Sequence, residues 1–430
     1  MKKTKKIFDE VLEKVEPPKE DLQYMQKYVE IVSKEIKKNI KKYKINAEIF
    51  IGGSFAKKTV IKKENYDVDF FIRYDKKYKS DEITLLTKKI LKGNKNISVV
   101  HGSRDYFKIN FKNNFFIEVI PVRKINNPKD YENITDLSYL HVKYINKKVK
   151  SPKVLEEIKL AKAFCYANNC YGAESYISGF SGYSLELLVY HYKTFDKFIK
   201  AMVKIGKDKK IIDPEKKFKN KKNVLLDLNS SKLISPVILI DPTYHHRNVL
   251  AALSEETFRR FQKACKTFIK NPSLNSFEIK KINLNKIQAD ALKKKKEFIL
   301  MEAKTSKPEG GVAGSKLLKF YNYLQREIEL YFNVKNKGFN YNGQKSARYF
   351  FVAERKKEII YSGPFSKDKE NSKKFRKEHK KVFDKKGRLY AKSEINFKLD
   401  EFIQKWKKKN ARIIKEMYIT DLRDIKVFKK

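Results

Sequence analysis

Apolar side chains between residues 21 and about 43 recur at intervals of three and four positions, which predicts one amphipathic helix. Pro17 and Pro18 precede this stretch, and each disfavours the helical conformation in the residue before it. We therefore expect the helix to begin near residue 21 and the chain before it not to be helical. The apolar stripe consists of Leu22, Met25, Val29, Val32, Ile36 and Ile40.

The segment after this helix has the β-branched and aromatic runs that are typical of strands. Gly52 and Gly53 end the first run, and Ser54 is a candidate N-cap for a short helix that includes residues 57–60. The turn Lys112-Asn-Asn114 joins the last two runs as a hairpin. We expect a small α/β domain with strands at residues 47–51, 67–73, 106–111 and 115–122.

From residue 154 to about 204 the pattern is helical, with a break at Gly172 and a turn at residues 178–182. The chain has 430 residues and exceeds the size at which one hydrophobic core keeps growing, so several domains are expected. The remaining predicted elements are helices at 255–269, 283–299, 316–331 and 367–385, and strands at 347–353 and 358–361.

The composition indicates a nucleic-acid partner and a reducing compartment. The formal charge is +48 and the isoelectric point is near 9.8, as expected for a protein that meets polyanions. The lysine excess is spread along the chain, so a compositional habit of the source is an alternative. Cysteines occur only three times, without a disulfide framework. No apolar run approaches the roughly 20 residues of a membrane span and no secretory signal is visible, so we expect a cytoplasmic protein with no membrane contact.

Three acidic residues are the candidate catalytic group. Asp67 and Asp69 alternate along one strand and therefore point to the same face. Glu118 belongs to another strand of the same domain, between apolar neighbours. If the two strands lie side by side, three carboxylates converge and favour hard divalent ions such as Mg²⁺, two of which can activate a hydroxyl and stabilise a leaving phosphate. The alternative is an edge strand whose acids face solvent.

A phosphate-binding turn is predicted just before these acids. Gly53 allows a phosphate to approach the backbone, and the amides at a following helix start favour anions. Ser54 adds a hydroxyl, and Lys57 adds positive charge. The alternative for Ser54 is an ordinary N-cap.

The order of a strand, a Gly-Ser turn that opens a helix, and a strand with Asp-x-Asp resembles the polymerase-β nucleotidyltransferase superfamily. The chain downstream resembles the archaeal-type (class I) CCA-adding tRNA nucleotidyltransferases over nearly its whole length, in the same order. The segments that carry this resemblance are residues 160–164 (LAKAF), 171–175 (YGAES), 179–183 (GFSGY), 241–243 (DPT), 247–252 (RNVLAA), 363–365 (GPF), 375–379 (FRKEH) and 387–391 (GRLYA).

The resemblance implies an α+β multidomain protein. Its parts are a polymerase-β-like catalytic head (residues 1–142), a helical neck with a nucleotide pocket (143–254), and an α/β body and tail that bind tRNA (255–430). The implied reaction is template-independent addition of CCA to the tRNA 3′ end from CTP and ATP, with two Mg²⁺ ions and release of pyrophosphate. The partners are the acceptor stem and 3′ end of tRNA, and the oligomeric state, for which a homodimer is one alternative, stays open.

The resemblance also assigns roles to single residues. Asp67, Asp69 and Glu118 match the metal ligands, and Gly53, Ser54 and Lys57 match triphosphate contacts. The residues that match contacts to the incoming nucleotide are Ser138, His141, Lys162, Tyr171 and Arg247.

The chain departs from the family pattern at four of its positions. Lys57 and His246 stand where arginine is more common. Lys58 stands where a small residue is more common, and Glu118 stands where aspartate is usual. Without the family pattern, Lys162 would be interpreted as a solvated lysine, Tyr171 as a core residue and His141 as a surface or satisfied histidine.

Two other functions fit the same features. A poly(A) polymerase-like or other terminal RNA nucleotidyltransferase would use the same acids. A non-catalytic RNA-binding protein on the same fold would use the basic charge, although it has no need of an acid cluster.

Overall fold

The structure is a computed structural model that describes residues 2–94, 96–102, 104–206, 208–280 and 282–426. It contains helices and largely antiparallel sheets, which confirms the predicted α+β class. The chain separates into two compact units, residues 1–280 and 281–430. The division into head, neck, and body and tail stays a prediction. No helix in the described ranges is long and apolar enough to cross a membrane.

The first unit contains ten helices and eight strands within its described residues. They are α1 Lys2–Val15, α2 Lys19–Lys42, β1 Ala47–Ile51, α3 Gly53–Ala56, β2 Tyr66–Tyr74, α4 Ser80–Ile90, β3 Ile97–Val100, β4 Tyr106–Asn110, β5 Phe115–Arg123, α5 Ser138–Lys148, α6 Pro152–Ala167, α7 Gly182–Tyr192, α8 Phe195–Val203, β6 Lys210–Ile212, α9 Lys221–Asp227, β7 Val237–Asp241, β8 Tyr244–Asn248 and α10 Glu255–Lys270. Short 3₁₀ helices cover Pro128–Asp130, Ile134–Leu137, Ser230–Lys232 and Leu274–Phe277.

The first sheet has the strand order β1-β2-β5-β4-β3. β2 and β5 are parallel neighbours, and the other pairs in this sheet are antiparallel. In β2 the side chains of Val68, Phe70 and Ile72 are fully buried in a cluster that includes the apolar stripe of α2. Alternation then directs Asp67 and Asp69 to the opposite face. The strands predicted at 47–51, 67–73, 106–111 and 115–122 and the helix at 21–43 are confirmed.

Two local predictions in this region are wrong. A helix, α1, precedes the two prolines. Its Ile7 and Val11 pack into the core formed by α6, α7, α8 and α10, and this burial stabilises a helix that local propensity alone does not predict. The short helix begins at Gly53, one residue before Ser54, so Gly52 is its N-cap and the helix ends at Ala56. Strand β3 and helix α4 have no counterpart in the sequence prediction.

Helices α6, α7, α8 and α10 form a second core that is rich in phenylalanine. α6, α7 and α8 confirm the helical prediction for residues 154–204, and the break between α6 and α7 contains the predicted Gly172 and the turn at 178–182. The core residues include Phe164, Phe180, Phe198, Phe261 and Phe268. Strands β6, β7 and β8 form a three-stranded sheet beside these helices, with β7 fully buried.

The second unit contains two sheets. The larger has the order β10-β11-β9-β15 and packs against α12 and α14, and the smaller has the order β12-β14-β13. Its elements are α11 Leu284–Lys293, β9 Glu297–Thr305, α12 Gly311–Tyr331, β10 Phe332–Tyr341, β11 Ser346–Arg355, β12 Glu358–Phe365, α13 Lys369–Glu378, β13 Lys381–Lys385, β14 Arg388–Glu394, α14 Leu399–Lys409, α15 Ala411–Glu416 and β15 Ile419–Asp424.

Two helices predicted in this unit are too long. The helix predicted at 283–299 ends at Lys293, because the following run is a central strand, β9, that pairs with β11 and β15. The basic helix predicted at 367–385 ends at Glu378, and β13 follows it. Lys386 and Gly387 both have positive φ, the conformation of a tight hairpin turn, and join β13 to β14.

Candidate active site

The parallel pairing of β2 and β5 brings the three predicted acids to one sheet face. The register places Asp69 opposite Glu118, and Asp67 lies two residues earlier on the same face of β2. Asp67 accepts a hydrogen bond from the Lys63 ammonium at 3.1 Å. The sequence could suggest this convergence but not the strand pairing that produces it.

The surroundings of these acids disfavour their charged forms. Burial, followed by the charge of Asp67, raises the pKa of Asp69 to about 7. Burial, followed by the charge of Asp69, raises the pKa of Glu118 to about 8. Neighbouring carboxylates repel one another unless a cation lies between them. An all-oxygen group of this kind fits a hard divalent cation, so the residues present suit a metal site.

The turn before β2 is fitted closely to Asp69. Gly53 has a φ of +64°, and a Cβ atom added there would lie 1.7 Å from Asp69 Oδ2. The Gly52 amide donates to the Asp69 carbonyl oxygen at 2.8 Å. A side chain at position 53 would therefore displace the carboxylate. Ser54 lies on the four-residue helix α3 and is half-buried.

Lys57 and Lys162 come from different parts of the first unit and meet at one carboxylate. The Lys57 ammonium donates to Glu186 Oε2 at 2.6 Å, and the Lys162 ammonium donates to Glu186 Oε1 at 2.9 Å. Lys162 also donates to the Thr59 hydroxyl at 2.6 Å and carbonyl at 3.3 Å. Burial lowers the pKa of Lys162 to about 8, although the charge of Glu186 opposes this shift. Lys162 is therefore a buried cation and not a solvated one.

Glu186 was not predicted from the sequence. It lies within the apolar stretch Leu185-Glu-Leu-Leu-Val of α7 and is completely buried. Burial alone would raise the pKa of this carboxyl group, but the charges of Lys162 and Lys57 outweigh burial and lower it. The signal in the sequence was an acid within an apolar stretch, and the same signal identified Glu118 in β5.

A second buried network surrounds Asp241. Its carboxylate accepts hydrogen bonds from Arg247 Nη1 at 2.6 Å, from the Tyr183 hydroxyl at 3.0 Å and from Thr243. His141 Nε2 lies 3.1 Å from Asp241, and its ring stacks on Tyr183 at 4.1 Å between centroids. Burial lowers the pKa of His141, so the imidazole is neutral near pH 7 and Arg247 supplies the countercharge. The predicted residues His141 and Arg247 are thus joined through Asp241.

The remaining predicted residues lie nearby in the fold. Ser138 is the first residue of α5 and is half-buried, one turn before His141. Tyr171 follows α6 and forms an isolated parallel bridge with Phe180. A Cβ atom added at Gly182 would lie 3.1 Å from the Tyr171 hydroxyl and 3.8 Å from the Lys162 ammonium nitrogen, so these groups converge beside that glycine.

His246 points to a different group from the one around Asp241. Its Nδ1 lies 2.6 Å from Asp227, and with His245 these side chains offer three ligand atoms within 4.8 Å of one another. Burial, followed by the charge of His246, lowers the pKa of His245. The contact with Asp227 thus directs His246 away from the group around Asp241.

Comparisons with known proteins agree with this architecture. A profile described as "Nucleotidyltransferase domain" matches residues 29–160, and one described as "tRNA nucleotidyltransferase, second domain" matches residues 156–278. The first match covers the sheet with the three acids and confirms the polymerase-β-like fold expected for the head. The second covers helices α6 and α7, which carry Lys162 and Glu186, and strand β8, which carries Arg247.

The curated relatives that match this chain include archaeal proteins. The "CCA-adding enzyme" of Methanocaldococcus jannaschii is 30% identical over 412 residues, which is 91% of this chain and 88% of the relative. The "CCA-adding enzyme" of Nanoarchaeum equitans is 38% identical over 244 residues, which is 56% of this chain and 59% of the relative. A solved structure of the Cid1 poly(U) polymerase has a TM-score of 0.50 and 14% identity, and it covers 65% of this chain and 99% of that chain. That likeness shows the fold alone.

Proposed function

The chain belongs to the family of archaeal CCA-adding enzymes, and from this premise we propose that it adds C, C and A to the 3′ end of tRNA without a nucleic-acid template. It is a nucleotidyltransferase, and such enzymes take nucleoside triphosphates and a divalent metal ion. The finer proposal is that the substrates are CTP and ATP and that two Mg²⁺ ions take part. The tRNA 3′-hydroxyl attacks the α-phosphate, and pyrophosphate leaves.

The observation that carries this proposal is the β2–β5 register. It sets Asp69 beside Glu118 with Asp67 on the same face, and these three carboxylates would hold the metal ions. When bound, the ions would activate the attacking hydroxyl and stabilise the leaving phosphate. The raised pKa values of Asp69 and Glu118 support the assignment, because burial and the neighbouring carboxylates both disfavour the charged forms, and a bound cation would favour them.

The chain's own residues bind and orient the triphosphate. Gly53 lets the phosphates approach the backbone beside Asp69, and Ser54 supplies a hydroxyl at the same turn. Lys57 uses one of its three ammonium protons on Glu186, which leaves two that can face a phosphate. Lys162 has its donors on Glu186 and Thr59, so we expect it to act on the triphosphate chiefly through its charge.

The base and sugar would lie against the neck. Arg247 and His141 are fixed through Asp241, so their orientation does not have to be set when a nucleotide binds. With Ser138 and Tyr171 they line the part of the first unit that we assign to nucleotide selection. Selection between C and A would come from hydrogen bonds that only the correct base satisfies.

The remaining proposals concern the RNA partner, the cellular compartment and the oligomeric state. The acceptor stem and 3′ end of tRNA would be held by phosphate contacts from lysine and arginine, which position RNA without reading its sequence. The strong positive charge supports this binding. The cytoplasm is the compartment in which such a reaction on tRNA is expected. A homodimer stays a prediction.

The reaction is tested with tRNA transcripts that end before CCA, after C and after CC. Each is incubated with Mg²⁺ and CTP, ATP or both, and the products are sized at single-nucleotide resolution. We expect addition to stop after CCA. Long homopolymer tails would instead indicate a poly(A) polymerase-like enzyme, and tight tRNA binding without addition would indicate a non-catalytic RNA-binding protein.

The metal assignment is tested by Asp69→Asn, which keeps the shape of the side chain and removes its charge. We expect addition to fall by at least about a thousandfold while tRNA binding stays near that of the wild type. Asp75→Asn, just after the other end of β2, is the matched control and should retain activity. Full activity in the Asp69→Asn protein would rule out the assignment.

A further inference from the structure

Glu186 connects the two lysines that the proposed function assigns to the triphosphate. Each carboxylate oxygen takes one of them, with Lys57 at 2.6 Å and Lys162 at 2.9 Å. Thr59 closes the network, because its hydroxyl contacts both Glu186, at 3.2 Å, and Lys162, at 2.6 Å. Lys57 and Thr59 follow helix α3 of the head, whereas Glu186 and Lys162 lie on α7 and α6 of the neck.

The burial of this group makes its charge balance important. Glu186 is 0% exposed, and Lys57 and Lys162 are 8% and 2% exposed. Two cations on one anion leave a net charge of one positive unit in densely packed surroundings. Buried charges without a partner are strongly disfavoured, so the Glu186 carboxylate is the countercharge that this pair of lysines needs.

Glu186 cannot reach a substrate, because its side chain has no exposed surface. An acid at this position also reduces the positive charge that a triphosphate meets, which is unexpected in a site that binds an anion. The arrangement is understandable if the carboxylate serves the lysines and not the ligand. It gives both ammonium groups a countercharge and fixes the direction of Lys57.

We propose that Glu186 is a positioning residue for the nucleoside triphosphate and that it acts through Lys57. The inference deepens the proposed function and depends on its assignment of Lys57 to the triphosphate. The ligand class is a polyphosphate, since the group presents cations that are held rigidly at the junction of two elements. A preformed cation loses little side-chain entropy when the phosphate arrives.

The test is the dissociation constant of the full-length protein for CTP with Mg²⁺, measured by calorimetry without tRNA. Glu186→Gln removes the charge and should weaken binding about ten- to hundredfold, with the affinity for tRNA unchanged. Glu186→Asp keeps the charge on a shorter arm and should bind CTP more tightly than Glu186→Gln does. Glu157→Gln is the matched control: this acid lies on α6, accepts from the Phe195 amide at 2.7 Å and should leave CTP affinity unchanged.

A double-mutant cycle separates positioning from a general structural effect. In a Lys57→Ala background, Glu186→Gln or Glu186→Asp should weaken CTP binding by much less than in the wild type, because the group through which Glu186 acts is gone. Equal losses in both backgrounds would overturn the inference, as would an unchanged affinity in Glu186→Gln. If Glu186→Gln does not fold, the Glu186→Asp arm of the cycle gives the same decision.

The failure of this inference can be told from failure of the proposed function. A wild-type protein that extends no tRNA but binds CTP in a way that depends on Glu186 and Lys57 refutes the proposed reaction and supports the positioning role. A wild-type protein that completes CCA, with additive losses in the cycle, supports the reaction and refutes the positioning role.

Discussion

At the scale of single residues, the site contains buried acids in two different electrostatic surroundings. Asp69 and Glu118 are buried acids next to other acids, and burial, followed by the charges of the neighbouring carboxylates, raises the pKa of both. Glu186 is an acid between cations, and the charges of Lys162 and Lys57 outweigh its burial and lower its pKa. The first arrangement calls for a cation from outside, and the second organises cations for an anion from outside.

The charge of Lys162 should control the pH dependence of nucleotide use. Its pKa is lowered to about 8, so the group formed with Lys57 and Glu186 has a net charge of one positive unit below that pH and becomes neutral above it. We expect kcat/KM for CTP to fall as the pH rises from about 8 to about 9.5, because kcat/KM follows ionisation of the free enzyme.

Lys162→Arg provides the control for this profile. Guanidinium stays protonated throughout the range, so any activity that this variant keeps should not decline above pH 8 through this group. An identical decline in the variant and the wild type would assign the ionisation to another residue.

At the scale of elements, the sequence predicts what depends on periodicity and misses what depends on distant packing. The stripe of α2 and the alternation of β2 were sufficient to place both elements and the two aspartates of β2. The pattern could not show that β5 is the parallel neighbour of β2, nor that Glu186 pairs with Lys57, 129 positions away in the chain. The helical propensity of the lysine run also led to a helix prediction over the start of β9, whose position depends on pairing with β11 and β15.

The Asp241 network joins α5, α7 and the β7–β8 hairpin, and its removal should loosen all of them. Asp241→Asn would leave Arg247 with a partly buried charge that lacks its partner, so we expect a loss of about 3 kcal/mol or more in the free energy of unfolding at pH 7. Asp227→Asn breaks the more exposed contact with His246, the neighbour of Arg247 on β8, and should cost less than about 1 kcal/mol. Denaturant unfolding of the three proteins measures both values.

The difference in the free energy of unfolding between the wild type and Asp241→Asn should also depend on pH. Burial would raise the pKa of Asp241, but its bonds to His141 and the charge of Arg247 lower it below the ordinary value. A depressed folded pKa gives stability that is present above the unfolded pKa, near 4, and is lost as the pH falls through the folded value. The difference between wild type and Asp241→Asn should therefore be full at pH 7 and shrink below about pH 4, and a difference that grows on acidification would contradict this account.

At the scale of the whole molecule, each hydrophobic cluster falls within one compact unit. The cores around the first sheet, the neck helices and the β7 strand all belong to residues 1–280, and the core around α12 belongs to residues 281–430. The proposed nucleotide site also lies entirely in the first unit. Residues 1–280 alone should therefore bind the nucleotide, whereas tRNA binding and the complete reaction should need both units.

A protein that consists of residues 1–280 should test this separation. We expect it to unfold cooperatively and to bind CTP with Mg²⁺ as the full-length chain does, because its cores and the Lys57–Glu186–Lys162 group are complete. Its affinity for tRNA should fall by at least about tenfold at physiological salt, because phosphate contacts scale with the number of basic side chains that remain. Calorimetry with CTP and filter binding with tRNA over a salt series measure the two properties, with the full-length chain as the control. Loss of CTP binding in the folded fragment would show that residues 281–430 help to build the nucleotide site, whereas an unchanged tRNA affinity and salt slope would place the RNA contacts in the first unit.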